Sequence, residues 1–352
     1  MPILDRYLTK MLDMDGSDLH LAVGMPPRVR ASGSIMDMED EPELDQQSLE
    51  EMLQEICNET RWNHFQENYD LDLAHEIPGL ARFRGSFLYN QWWPGAVFRQ
   101  IPAEILSFDK LNLPEILKEV YGYQEGLVLL TGPIGSGKST TMAAMLDYIN
   151  DNYQKHIITI EDPIEFVHPK KNCVIVHREV GEHSHSFVNA LRSSMRGDPD
   201  IILLGEMREL ETIQLALGCA SMGMLVFGTL HTNNAPKTVD RIIDAFPAEE
   251  QNQIRTMLAS CLRGVVSQLL CKKVGGGRVA VNEILLKHDA LPNCISSGKI
   301  SNIRGIIESS MAQGMTTMDA SLMAQLKKGA ISDHVAYMKA ADKNQFESYK
   351  NS

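Results

Sequence analysis

The sequence predicts a two-part α/β protein, with a small α+β domain followed by a larger domain built on a mainly parallel sheet. Three observations predict it. Four short, continuously apolar runs recur between helical stretches in the second part, as expected of strands buried on both faces. The first of these runs leads directly into a glycine-rich loop and then a helix. The first hundred residues instead carry short alternating runs, which suit strands with one wet face.

Residues 1–102 are expected to form the small domain, with strands at 18–21 and 81–88 around an acidic helix over 48–57. The acidic stretch 36–43 reads as a solvated loop. Asn90-Gln91-Trp92-Trp93-Pro94 reads as a second loop, whose tryptophans suit packing or an interface. Residues 103–114 lack periodicity until Leu113 and are bracketed by Pro102 and Pro114, so they are taken as a linker. The second domain then spans 115–352.

Within it, the apolar run 127–130 precedes Gly132-Pro133-Ile134-Gly135-Ser136-Gly137-Lys138-Ser139, the spacing G-x-x-x-x-G-K-S. Gly132, Gly135 and Gly137 allow backbone N–H groups to turn inward around a polyanion. Lys138 can reach the β- and γ-phosphates of a nucleotide, and the Ser139 hydroxyl can ligate Mg²⁺. Thr140 continues into a stretch with Met142, Met145, Leu146 and Ile149 at helical spacing, so a helix starts at the loop and aims its positive end at the phosphates.

The remaining runs, 157–160, 201–204 and 225–230, each end in polar residues. Glu161-Asp162-Pro163-Ile164-Glu165 follows one, Gly205-Glu206-Met207-Arg208 the next, and His231-Thr232-Asn233 the last. Ligands of open α/β sheets bind beyond the carboxyl ends of the strands, so these clusters are expected to converge on one nucleotide. Hydrolysis of ATP needs a metal to neutralise phosphate charge, a carboxylate to orient water, and a cation for the transition state. Glu206 suits support of Mg²⁺ or of the attacking water. Glu161, Asp162 and Glu165 form a second carboxylate cluster, presented by the turn at Pro163, and His231 is placed to sense the γ-phosphate. Arg82, Arg84 and Arg99 of the small domain are candidate cations, because the guanidinium fork matches phosphate oxygens. His20, His64, His75, His156, His168, His177 and His183 have no comparable setting.

A formal charge of −13 over 352 residues argues against a surface built to neutralise nucleic acid. The apolar segments fall short of the roughly 18 to 20 residues that span a bilayer, and the N-terminus lacks a signal-peptide core, so a cytoplasmic location is expected. Six scattered cysteines without a C-x-x-C pair read as buried thiols. After Val281 the chain reads as helices, with breaks at Gly298, Gly314 and Gly329, and residues 341–352 are polar enough to fray.

These pieces, in this order, resemble the secretion ATPases of type IV pili, specifically the PilT-like retraction ATPases of twitching motility. The matching motifs are TGPIGSGKSTT, ITIEDPIEFVH, DPDIILLGEMRELET, with Gly205 where many NTPases carry Asp, and GTLHTNNAPKTVDRIIDAFP. GSDLHLAVGMPPRVRASG and GMTTMD extend the likeness over nearly the whole chain. The resemblance implies a PAS-like N-terminal domain and a RecA-like P-loop domain, assembled as a hexameric ring with ATP between domains and arginines from the N-terminal domain. It also implies an inner-membrane pilus platform protein as partner, recruitment to the cytoplasmic face of that membrane at the pilus base, and other pilus motor ATPases as further partners. Extension ATPases usually carry another N-terminal domain and a four-cysteine metal motif; both are missing here, which favours retraction. Residues 290–297, ALPNCISS, depart from the AIRNLIRE-type helix of retraction motors, and Pro292 is poorly suited to a helix interior. Tryptophans also stand at 92–93 where a basic, glycine-rich segment is typical. An accessory paralogue that binds nucleotide and modulates another motor is therefore the alternative to a retraction motor.

Overall fold

The computed structural model describes residues 2–31, 33–91, 93–101 and 104–350. Trp92 of the expected loop, Pro102 and Ala103 at the expected boundary, and Met1, Ser32, Asn351 and Ser352 lie outside the described residues. Thirteen strands of the described chain form two sheets.

In the N-terminal part, β1 (Gly16–Ala22), β2 (Arg28–Ala31), β3 (Ser34–Asp37), β4 (Asp70–Ile77), β5 (Ala81–Asn90) and β6 (Trp93–Ile101) form an antiparallel sheet in the order β3-β2-β1-β6-β5-β4. Alternation decides its faces. Leu19, Leu21, Val29, Leu73, Phe83, Phe87 and Phe98 point into a core shared with the helices Ile3–Asp13, Gln46–Glu55 and Glu59–Asn68. Leu4, Leu8 and Met11 supply the first helix's buried stripe at i, i+4 and i+7. Asp45 and Asn58 cap the next two helices by accepting the N–H of Ser48 and of Arg61, at 2.7 and 2.8 Å.

The second sheet adds β7 (Gly126–Thr131), β8 (His156–Glu161), β9 (Val174–Glu179), β10 (Ile201–Leu204), β11 (Leu225–Leu230), β12 (Leu262–Lys272) and β13 (Arg278–Leu286), in the order β13-β12-β7-β11-β10-β8-β9. The pairs from β12 to β8 are parallel, and β13 returns antiparallel to β12. Every residue of β7, β10 and β11 is buried, as the continuous apolar runs require. The helix Lys138–Asn152 packs Met142, Met145, Leu146 and Ile149 into this interior. The expected α/β class with a mainly parallel RecA-like sheet is borne out, and the antiparallel sheet with its helices is consistent with the PAS-like expectation.

Several local readings are corrected. The stretch 36–43 is not a loop throughout: Met36 and Asp37 pair in β3, Met38 is buried, and Glu41 binds Arg6 and Lys10 at 2.8 and 3.0 Å. Trp93 is not in a loop but opens β6 opposite Asn90, with a φ of 79° at the hairpin. After Val281 the chain first completes β13, a short apolar run that periodicity alone could not assign. Pro292 sits in the first turn of the helix Leu291–Ser296, where a missing N–H breaks no helical bond, so that helix forms. Residues 341–350 do not fray, because Phe346 is fully buried with Cys271, Leu322, Ile331 and Ala336.

The described chain falls into two compact units. One comprises Met1–Glu104 together with Glu161–Val167 and Arg178–Ser186; the other comprises Ile105–Ile160, His168–His177 and Phe187–Ser352. That two later segments pack with the first unit is something compositional punctuation at 103–114 cannot reveal. Of the cysteines, five are buried and Cys57 is half-buried; burial pushes the thiols of Cys57, Cys219 and Cys261 up to about 11. Among the described residues no helix is long and apolar enough to cross a membrane.

Phe346→Ala is expected to destabilise the second unit by about 3–5 kcal/mol, the usual cost of emptying a buried phenylalanine site. Denaturant melts of the full chain check this; a loss under about 1 kcal/mol would show that the C-terminal turn is not packed as described.

Candidate functional site

The loop after β7 owes its shape to two backbone positions. Gly132 has φ 144°, and a Cβ there would lie 2.3 Å from the Gln268 carbonyl oxygen of β12. Gly137, with φ 83°, is the left-handed N-cap of the helix Lys138–Asn152. Ile134 stands 90% exposed at the loop tip beside Pro133 and Gly135, while Ser136 is buried with its hydroxyl lacking a protein partner. An orphaned hydroxyl, a glycine cradle and a fifteen-residue helix beginning at Lys138, with Ser139 and Thr140 in its first turn, fit a bound phosphate group.

Lys138 Nζ donates to the carbonyls of Gly132 and Pro133 at 2.8 and 3.2 Å and lies 3.4 Å from His231 Nδ1. His231, just past β11, places Nε2 2.9 Å from Glu206 Oε1. Arg208 Nε binds the same oxygen at 2.6 Å. His231 Nδ1 also lies 3.4 Å from the Gly132 carbonyl oxygen, so the ring sits between Glu206 on one side and the Lys138 ammonium and loop backbone on the other. Burial raises the Glu206 carboxyl, but the hydrogen bond and charge of Arg208, with His231, outweigh it and hold the group below its ordinary value. Three of the four expected polar clusters thus meet at the ends of neighbouring strands β7, β11 and β10.

The fourth belongs to the other unit. Arg82 and Arg84 alternate on the wetter face of β5, and Arg84 lies opposite Arg99 of β6, so the sheet brings all three arginines to one face. Arg82 binds Glu76 at 2.8 Å and donates to the Ile164 carbonyl at 3.1 Å. Arg84 binds Asp72 at 2.9 Å and lies 3.8 Å from Glu165. Arg99 binds Asp18 at 2.7 Å while 73% of its side chain stays exposed. Glu161 ends β8 and opens the loop that carries Glu165. Among the described residues there is no group of three or more His, Cys, Asp or Glu that could hold a metal; Ser139 and Glu206 are the residues at this loop whose oxygens could contribute to a Mg²⁺ ion carried by substrate phosphates.

Sequence reasoning missed Gln268. Its Nε2 donates to the Ser136 carbonyl at 2.8 Å, and its Oε1 accepts from Thr141 and Asn282 at 3.0 Å each. This buried amide braces the loop from behind. It lies on β12, which carried no recognised motif, so no sequence signal pointed to it. Arg208 was visible in its motif but received no role.

The Type II/IV secretion system protein family matches residues 82–341. The chain belongs to this family. Among family members, it is 47% identical to the type IV pilus retraction ATPase PilT of Pseudomonas aeruginosa, over 92% of this chain and 94% of that protein. It is 45% identical to a twitching motility protein of Neisseria gonorrhoeae, over 89% of this chain and 84% of that one. A crystal structure of the pilus retraction motor PilT with bound ADP superposes with a TM-score of 0.89 at 40% identity, covering 99% of each chain. The resemblance read from the motifs is borne out within the family.

His168 closes the ITIEDPIEFVH motif and is buried with both ring nitrogens unpartnered. Its neighbour His177 places Nδ1 2.9 Å from the Thr159 hydroxyl and accepts the His168 backbone N–H at Nε2, at 3.2 Å. Burial, then the positive potential of His177 and Lys171, pushes His168 down to about 4 from 6.5. A histidine with a depressed folded-state pKa takes up its proton more readily when unfolded. Its contribution to stability is therefore intact above about pH 6.5 and is lost as the pH falls toward 4, to a limit of about 3 kcal/mol. Melting between pH 7.5 and 4.5 checks this: the fall in Tm is expected to be shallower in His168→Leu, and an identical slope in both proteins would refute the assignment.

Proposed function

We propose that this chain is an ATPase that powers retraction of a type IV pilus. The line Lys138, His231, Glu206 at the phosphate loop carries the reading, because it joins a phosphate-binding cation to a carboxylate through a histidine able to register what the cation binds. In this scheme the loop N–H groups and Lys138 hold the β- and γ-phosphates. Ser139 and Glu206 would hold Mg²⁺, which when bound would supply charge neutralisation on the phosphates. Glu165 orients the attacking water, with Glu161 as the second carboxylate of that loop. Water attacks the γ-phosphorus, the bond to the bridging oxygen of ADP breaks, and the water's proton passes to a carboxylate.

Arg82, Arg84 and Arg99 are the cations for the transition state. Each now pairs with a carboxylate, but the Arg84–Asp72 pair is some 40% exposed on both sides, and such pairs contribute about 0–1 kcal/mol. Redirecting that guanidinium to phosphate therefore costs little. The cytoplasm as location, a homohexameric ring and an inner-membrane platform protein as partner belong to the same proposal. They are supported by the family membership and by the chain's likeness to retraction ATPases.

Lys138→Ala is expected to abolish turnover. Glu206→Ala should lower kcat by about 100-fold or more while retaining ADP binding. Steady-state phosphate release and an ADP titration check both, and robust turnover by the Lys138 variant would sink the site assignment. In cells lacking the gene, a Lys138→Ala copy should fail to restore pilus retraction. Full restoration would favour a regulatory paralogue that binds nucleotide without doing work.

A further inference from the structure

Ile164 is gripped at both ends of its backbone. Its N–H donates to Glu179 Oε2 at 3.0 Å, and its carbonyl accepts from Arg82 Nη2 at 3.1 Å. Glu179 is 4% exposed, and its other oxygen takes a close hydrogen bond from Arg61 Nη2. Arg61, itself 9% exposed, turns its remaining Nη1 to Glu182 at 3.1 Å. Glu182 is also held by the amide of Asn58 at 2.7 Å, and Asn58 is the N-cap of the helix Glu59–Asn68. The Glu179 N–H donates to His183 Nδ1 at 3.0 Å, so both main chain and side chain of Glu179 are fixed. All of these residues lie in the first compact unit.

We propose that the Arg61–Glu179 pair is a positioning device for ATP hydrolysis: it sets the loop that carries Glu165 in register with Arg82 and Arg84. The inference rests on the proposed function. Glu165 is the residue after Ile164, so whatever fixes the Ile164 peptide fixes where the Glu165 carboxylate emerges. That carboxylate lies 3.8 Å from Arg84, two positions along β5 from the arginine that holds the Ile164 carbonyl. The Glu179 carboxylate is buried and cannot turn to water. Its two oxygens are committed to one guanidinium and one N–H, and in such surroundings any other arrangement leaves a charge or a donor unmatched. The loop therefore has one well-defined seat. Neither Arg61 nor Glu179 needs to touch the nucleotide, so their effect falls on the chemical step through Glu165 and Arg82.

The test compares kcat for ATP with the Kd for ADP in the full chain, alongside its Tm. Glu179→Leu, which removes both the charge and the acceptor, is expected to lower kcat by about 10- to 100-fold, the usual consequence of misplacing a reacting group by about an ångström. The Kd for ADP should stay within about twofold, because the phosphate loop belongs to the other unit. Glu179→Gln should recover part of the rate, since its amide oxygen still accepts the Ile164 N–H while its NH2 cannot accept from Arg61. If Glu179→Leu fails to fold, Arg61→Lys carries the test: a lysine lacks the planar two-armed fork by which Nη2 reaches Glu179 and Nη1 reaches Glu182, and a lower kcat at constant Kd is expected.

A kcat within about twofold of the wild type in Glu179→Leu, or in Arg61→Lys where that variant stands in, overturns the proposal. So does a parallel loss of kcat, ADP binding and Tm that Glu179→Gln does not relieve, since that is the mark of a merely structural pair. Absence of turnover in the wild-type chain would overturn the ATPase reading and this one with it, whereas turnover intact in both wild type and variants overturns this one alone.

Discussion

Burial of β7, β10 and β11 on both faces is the constraint from which the site follows. A strand enclosed in this way cannot offer ionised side chains along its length, so the groups that must meet a polyanion are displaced beyond its carboxyl end. Because these strands are parallel neighbours, their ends lie side by side, and Lys138, His231 and Glu206 come within hydrogen-bond reach without any long excursion of the chain. The same enclosure explains why the carboxylate of Glu206 needs Arg208 and His231. Partial burial alone would favour its neutral form, and two donors on one oxygen reverse that preference.

The N-terminal sheet solves a different problem with the same residue types. One face is dry and aromatic, with Phe65, Phe87 and Phe98 meeting edge to face at about 5.6 to 5.8 Å. The opposite face keeps arginines in water, each beside a carboxylate that limits self-repulsion among three like charges. Segment Glu161–Val167 joins this unit through hydrogen bonds to its own backbone at Ile164, so acid and arginine share one scaffold although some eighty residues separate them in sequence.

Legibility in the sequence followed how local each determinant is. The four apolar runs, the glycine loop, the helix after it and the three glycine breaks near the C-terminus were readable because period, spacing and backbone conformation are set within a few residues. Glu206 and His231 were readable because strand ends are where such groups belong. What was not readable depends on distant partners. Gln268 matters because it bonds Ser136 and Thr141 across more than a hundred residues, and Arg61 because it bonds Glu179. Phe346 looked like part of a polar tail because its pocket is made by β12, β13 and the helix Met318–Lys327, of which the two strands went unrecognised. Pro292 misled for a positional reason, since a proline breaks a helix interior but is tolerated in its first turn.

The cysteines give this chain a practical property. With five thiols buried, and those of Cys57, Cys219 and Cys261 held near 11, roughly one in ten thousand of these three groups is ionised at neutral pH, and the thiolate is the species that alkylates. A dye bearing a maleimide would react far more slowly with these three than with a cysteine introduced at an exposed position such as 134, at the tip of the phosphate loop. Fluorescence of such a dye reports on the loop tip while Cys57, Cys219 and Cys261 stay in place.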